Sequence, residues 1–119
     1  MTPEELADRI VEITIQHGDA THGTIINNTE QGVLSGDMTL SVGDMNLVFA
    51  VGINTLFADA MDILMKERPL RVEISATDFL VACYDATPMP SAMPWAKKPP
   101  KKGYKEPHFV PFLLRPVKT

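Results

Sequence analysis

Residues 37–51 read DMTLSVGDMNLVFAV, two runs of alternating apolar and polar residues on either side of Gly43 and Asp44. Alternation with a period of two is typical of a strand that buries one face. Glycine tolerates a positive φ angle, so this pair suits a two-residue hairpin turn. The segment therefore predicts an antiparallel hairpin with one apolar face. The pairs on that face would be Val42 with Met45, Leu40 with Leu47, and Met38 with Phe49.

The sequence predicts a helix on each side of this hairpin. Thr2 and Glu5 can form a capping box around Pro3, and the apolar residues that follow recur at helical spacing. This first helix should stop near Gln16, because Gly18 is a natural helix terminator. The second helix is predicted over residues 54–67, with an apolar stripe along one side.

Further strands are predicted near residues 22–27, from 32 into the hairpin, and at 70–76, 79–84 and 108–114. Residues 79–84 are apolar on both faces, which favours a central strand or one whose second face meets another subunit. Cys83 would then be a core residue. Prolines confine the last strand to an edge. We therefore predict a single α+β domain, residues 1–119, with an antiparallel sheet of five or six strands. Two helices would pack on one face of that sheet, with a long Pro/Lys-rich arm before the last strand.

Composition fits one globular domain: 119 residues, of which 45% are hydrophobic and 22% charged. No apolar run approaches the roughly 18 to 20 residues of a membrane helix, so no membrane partner is expected. Glu4, Glu5 and Asp8 do not fit the basic start of a signal peptide. Cys83 stands alone, which excludes an internal disulfide and fits a reducing compartment. We therefore expect a cytoplasmic protein.

Charge divides the chain into two unlike halves. Residues 1–65 hold ten acidic side chains and one basic one, a formal net charge of −9. Residues 66–119 hold ten basic and five acidic side chains, a net charge of +5. Such asymmetry can mark an acidic or a basic interaction surface. The alternative is that the halves interleave in the fold and their charges cancel locally.

The densest group of potential ligands comprises His17, Asp19 and His22. Two imidazoles and a carboxylate could bind a divalent metal or transfer a proton near neutral pH. The spacing H-x-D-x-x-H straddles the predicted helix end, however, and matches no established metal motif. We therefore predict a polar helix-to-strand connection here and keep the three residues only as weak metal candidates. The sequence contains no glycine motif for phosphate binding and indicates no cofactor.

Residues 86–107 form the Pro/Lys-rich arm, which holds six of the ten prolines and five lysines. So many prolines exclude a helix or a central strand. Aromatic rings beside cations are typical of nucleic-acid or phosphate contacts, and methionines provide an adaptable apolar surface. On these grounds the predicted partner-binding residues are Met89, Met93, Trp95, Lys97, Lys98, Lys101, Lys102 and Tyr104.

Three interpretations of the arm stay open. It could lay Trp95 on a neighbouring subunit or partner and pair its lysines with an acidic surface there. It could wrap on its own domain. It could contact nucleic acid or phosphate, although the acidic balance of the whole chain opposes non-specific nucleic-acid binding.

Since no convincing catalytic set is present, the leading hypothesis is a small, non-enzymatic interaction protein. It would form homo-oligomers and bind a macromolecular partner, for example as an inhibitor whose acidic surface competes for that partner. One alternative is a small enzyme or a protein binding an anionic ligand or nucleotide, with a pocket between the sheet and the arm. Another is a structural subunit of a larger assembly.

Overall fold

The computed structural model describes residues 1–30, 32–42, 46–67, 71–90, 93–95 and 103–117. Over these residues the chain has an α+β fold with four helices and five strands. In chain order they are α1 (Pro3–His17), α2 (His22–Asn27), β1 (Ser35–Val42), β2 (Leu47–Ile53), α3 (Thr55–Glu67), β3 (Val72–Ala76), α4 (Phe79–Tyr84), β4 (His108–Phe109) and β5 (Phe112–Pro116).

The strands form two small sheets where the sequence predicted one antiparallel sheet of five or six strands. One has the order β1-β2-β4, with β1 antiparallel and β4 parallel to β2, and the other pairs β3 with β5 antiparallel. The expectation of a single large sheet was wrong for two reasons. Two predicted strands are helices, and the segment predicted as the last strand divides at Pro111 between the two sheets.

Both predicted helices are confirmed as α1 and α3. Thr2 and Glu5 form the capping box of α1, and Gly18 ends it with a φ of 81°. The side chain of Asn54 binds the start of α3, because its Oδ1 accepts a hydrogen bond from the Phe57 amide at 2.9 Å. The two helices pack against each other, α1 also against β5, and α3 against β1 and β3. Their inward residues, such as Ile10 and Phe57, are fully buried in the main core.

The hairpin of β1 and β2 is confirmed, but its register differs from the predicted one. Val42 pairs with Leu47 and Leu40 with Ala50, and bulges interrupt the ladder. Four residues, 43–46, therefore connect the strands instead of two, and the predicted turn at Gly43 and Asp44 lies outside the described residues. Met38, predicted to face the core, is exposed on β1. A longer connection and bulges both shift strand pairing, which local alternation cannot reveal.

Residues 22–27 and 79–84, predicted as strands, are the short helices α2 and α4. Thr21 and Thr24 form a capping box at the start of α2. Asp78 caps α4, since its Oδ1 accepts a hydrogen bond from the Leu80 amide at 2.8 Å. The first turn of a helix leaves backbone N–H groups without partners, and these side chains accept hydrogen bonds from them. This stabilisation outweighs the strand propensity of the apolar residues that follow. Cys83 is consequently exposed on α4 and is not a core residue.

Helix α2 lies very close to the segment that follows α4. A Cβ atom added to Gly23 would overlap the main-chain carbonyl of Asp85 and lie 2.9 Å from the Thr87 nitrogen. Only glycine therefore allows this approach. Ala86, between those two residues, has a left-handed φ of 56°, a conformation that costs energy for a residue with a Cβ atom.

We expect Gly23→Ala to lower the free energy of unfolding by about 2 to 3 kcal/mol, because α2 and the chain after α4 must separate to admit the methyl group. Gly32→Ala is the matched control. Gly32 also has a positive φ, of 81°, but no atom of the described residues lies within 4 Å of its hypothetical Cβ atom. Its substitution should cost only about 1 to 2 kcal/mol, from backbone strain. Urea unfolding measures the free energy of unfolding of both variants. A loss for Gly23→Ala equal to or smaller than that for Gly32→Ala would contradict the close approach of α2 to the chain after α4.

Candidate functional site

The three weak metal candidates do not come together. His17 and Asp19 are exposed, whereas His22 is buried. Within the described ranges, no group of three histidine, cysteine, aspartate or glutamate side chains is placed to hold a metal ion. His17 is the last residue of α1 and His22 the first of α2, so the two imidazoles lie in different surroundings.

His22 lies in the core beside two aromatic rings. Its ring centroid is 4.9 Å from that of Phe57 and 6.0 Å from that of Phe112. Its Nδ1 is buried and has no hydrogen-bond partner in the described part of the chain. Burial disfavours the charged imidazolium and lowers the pKa of His22 from 6.5 to about 4. His22 is therefore a neutral core residue at physiological pH.

The described ends of the arm lie on the chain's own three-stranded sheet. Trp95 forms a parallel bridge with Phe109, whose amide donates to the Pro94 carbonyl at 2.8 Å. The ring of Tyr104 stacks on that of His108, with centroids 3.7 Å apart. The Tyr104 carbonyl also accepts a hydrogen bond from the Asn46 side chain at 2.7 Å. These contacts favour, for the two ends, the interpretation of a loop wrapped on its own domain.

The remaining predicted arm residues divide between described and undescribed parts of the chain. Met89 and Met93 are half-buried, and the Trp95 side chain keeps an exposed fraction of 40%. Lys97, Lys98, Lys101 and Lys102 lie outside the described residues. The structure thus describes both aromatic residues and both methionines of the predicted set.

A polar cluster fixes the end of α4 against α2. Oδ2 of Asp85 accepts hydrogen bonds from the hydroxyls of Thr21 at 2.9 Å and Thr24 at 3.2 Å. The Thr87 hydroxyl accepts one from the Gly23 amide at 3.3 Å. Thr21 and Thr87 are buried, so these bonds are shielded from water. The cluster determines which side of α4 faces inward.

The opposite side of α4 is an exposed apolar face. Ala82 is fully buried toward the protein, whereas the exposed fraction is 73% for Leu80, 42% for Val81 and 90% for Tyr84. Cys83 is exposed as well. Residues three and four apart are neighbours on a helix, so these four side chains form one continuous surface. Residues 79–84 contain no charged side chain. We call the surface formed by Leu80, Val81, Cys83 and Tyr84 the α4 face.

Sequence reasoning missed the α4 face because it treated residues 79–84 as a buried strand. The signal that could have revealed a helix is Asp78, a preferred N-cap residue directly before the apolar run. With helical spacing, a run apolar on every side must expose some of its side chains unless the protein surrounds it. Six residues are too few for periodicity to decide between the two structures.

Two open clefts are lined by residues outside the α4 face and outside the described part of the arm. One, of about 450 Å³, is lined by α1 and the chain before β1, including Glu5, Asp8, Glu12 and Glu30. Arg9 lies in it and donates to Glu12 and to the Asn28 carbonyl, each at 3.3 Å. The other, of about 680 Å³, is lined by Gly18, Glu73 and residues 115–117. Neither corresponds to the predicted pocket between sheet and arm.

Comparison of the chain with protein-family models, with curated proteins and with solved structures found no match. In the part of the chain that the structure describes, no helix combines the length and the hydropathy needed to cross a membrane. The function is therefore argued from the geometry of the chain itself.

The burial of His22 predicts a specific pH dependence of stability. The unfolded chain binds a proton at His22 below pH 6.5, whereas the folded chain does so only below about 4. Acidification across this window therefore favours unfolding, by on the order of 3 kcal/mol in total. In His22→Phe this contribution is absent. The variant should be at least as stable as wild type at pH 7, because a buried unpaired nitrogen is removed.

Urea unfolding of wild type and His22→Phe between pH 7 and pH 4 measures this effect, since contributions from other groups cancel in the difference. The stability advantage of His22→Phe should grow as the pH falls. His17→Gln is the control, because His17 is exposed, and it should follow wild type. A constant difference between wild type and His22→Phe would show that His22 protonates equally in both states.

Proposed function

We propose that this chain is a small, non-enzymatic interaction protein that binds a macromolecular partner through the α4 face and self-associates. The observation that carries the proposal is the exposure of Leu80, Val81 and Tyr84 on one uncharged helical surface. Exposed apolar side chains scattered singly are ordinary, but contiguous ones without intervening charge are typical of binding surfaces. Tyrosine in addition is enriched at the centres of protein interfaces.

The hydrogen bonds at the two ends of α4 favour a docking function over a chance exposure of its apolar side chains. Asp78 caps the helix, and Asp85 is bound by two threonine hydroxyls. Both ends of α4 are thus fixed before any partner arrives, which reduces the conformational entropy lost on binding. A preformed surface of this kind suits recognition by shape and burial.

The sheet edges offer a weaker docking surface. On the outer side of β4, Pro94 and Trp95 bind the main chain of Phe109. Strand β1, at the other end of the sheet, is interrupted by bulges and carries Asp37. Covering segments, bulges and charges are the devices by which proteins discourage edge pairing. We therefore place the main docking surface on α4.

The inhibitor version of the hypothesis requires an acidic surface, and exposed carboxylates along α1 support it. Glu4, Glu5, Asp8 and Glu12 are exposed, and the last three line the cleft together with Glu30. Arg9 pairs with Glu12 and Arg71 with Asp8, and the acidic side chains that remain can attract a cationic partner and accelerate encounter. We infer from charge alone that this acidic surface competes for a basic site on a partner.

A photo-reactive benzoylphenylalanine in place of Tyr84 tests the docking surface. In cells that produce the protein, irradiation should give discrete cross-linked products from this position, because its side chain projects from the α4 face. The same substitution at Gln16, an exposed residue of α1, is the control and should give none. Absence of products at both positions would reject α4 as a docking surface. Light-scattering mass of the purified protein then measures self-association separately.

A second candidate function is the binding of single-stranded nucleic acid or of phosphate groups. The described ends of the arm favour it. The Tyr104–His108 stack and the partly exposed Trp95 hold rings on the same short strand, β4. Four lysines separate them in the sequence. Bases stack on aromatic rings while lysines bind the phosphates, and this combination tolerates any sequence.

For this second candidate, fluorescence anisotropy with a labelled 20-nucleotide single strand is the direct assay. Binding should weaken steeply as salt increases, because counterions are released from the phosphates. Trp95→Ala should weaken it roughly tenfold through loss of stacking. Ile15→Ala, at an exposed apolar residue of α1, is the control. No binding at low salt would exclude the nucleic-acid function.

A further inference from the structure

We infer that the partner of the α4 face is a protein segment in which one or two large apolar side chains are flanked by lysine or arginine. This inference rests on the proposed function and names the chemistry of the partner. It follows from the size of the apolar surface and from the charges that surround it.

The α4 face is small. Six residues of helix extend about 9 Å, so Leu80 and Tyr84 lie one turn apart near the two ends. A surface of this length accommodates one or two large side chains of a partner and is well below a standard interface of roughly 800 Å² per protein. The groups around the face must therefore contribute to recognition.

The groups around the face are carboxylates. Asp78 stands at the start of α4 and Asp85 at its end. Asp78 is exposed, whereas Asp85 is half-buried beside α2. Asp78 uses Oδ1 to cap the helix, and Asp85 uses Oδ2 for the threonines, so each has a second oxygen.

The sequence around α2 and α4 contains no basic residue. Lysine and arginine are absent from residues 10–65 and from residues 72–96. These ranges include all of α2, all of α4 and the chain on both sides of α4. An apolar centre with an acidic rim is complementary to an apolar side chain with basic neighbours.

The same charges argue against a second copy of this chain as the occupant. In a two-fold pairing of α4 faces with antiparallel helices, Asp78 of one copy would approach Asp85 of the other. The whole chain also carries a net charge of −4, which adds a general repulsion between copies. A basic segment would instead be attracted both by Asp78 and Asp85 and by the net negative charge of the chain.

Two labelled twelve-residue amphipathic peptides provide the probe, one of leucine and lysine and the other of leucine and glutamate. Fluorescence anisotropy should show binding of the lysine peptide and at least tenfold weaker binding of the glutamate peptide. The double variant Leu80→Ser/Tyr84→Ser, which keeps the charge, should lose at least tenfold in affinity for the lysine peptide. Its far-UV circular dichroism should match wild type, because both side chains are exposed.

Two further variants locate the interaction. Asp78→Asn/Asp85→Asn keeps a side-chain oxygen at both hydrogen-bonding positions and removes only the charges. It should weaken lysine-peptide binding by about threefold to tenfold, an effect that disappears at high salt. Ile15→Ser removes an exposed apolar side chain from α1 and should leave the affinity unchanged.

The remaining outcomes each overturn the inference in a recognisable way. Lysine-peptide binding that Leu80→Ser/Tyr84→Ser does not affect would be a general attraction to an acidic protein. Equal binding of both peptides, lost in that variant, would leave α4 as a docking surface without charge selection. A dimer in light scattering that dissociates in the same variant would make a second copy the occupant. Failure of the proposed function itself is recognised separately, by the absence of cross-links at position 84.

Discussion

Gly23 lies so close to the main chain of Asp85 that a side chain does not fit between them. From this approach follow the hydrogen bonds of Asp85 to the threonines of α2, the left-handed backbone of Ala86 and the inward orientation of Ala82. With Ala82 fixed inward, the other side of α4 has to face solvent. One glycine on α2 therefore determines what another helix, far along the chain, presents at the surface.

The parts of the fold that could be predicted from the sequence are those with long or redundant local signals. Helix α1 has a capping box, four turns of apolar spacing and a terminating glycine, and α3 and β3 have periods that extend over their whole length. Helices α2 and α4 have six residues each, too few for a period to be read. Their capping residues were the only local signal, and strand propensity outweighed it in the prediction.

Non-local contacts account for the other errors. The register of the hairpin depends on a connection whose last residue, Asn46, binds the Tyr104 carbonyl, 58 positions away. No pattern within residues 37–51 encodes that bond. The arm was recognised from composition, because many prolines and lysines exclude regular structure whatever the tertiary context. Composition identified the segment but not the surface on which its ends lie. The exposure of the α4 face likewise depends on contacts between residues far apart in the sequence.

The parallel pairing of β4 with β2 joins strands more than fifty residues apart in sequence, and β5 supplies Phe112 and Leu114 to the main core. Helix α1 contributes residues to one side of that core and cannot complete it alone. Contacts of such large sequence separation close slowly, because the loop between them must first lose its conformational entropy. During synthesis, residues 1–107 would emerge with their core incomplete and their apolar surfaces available to chaperones. The main core can therefore close only after β5 has been added to it.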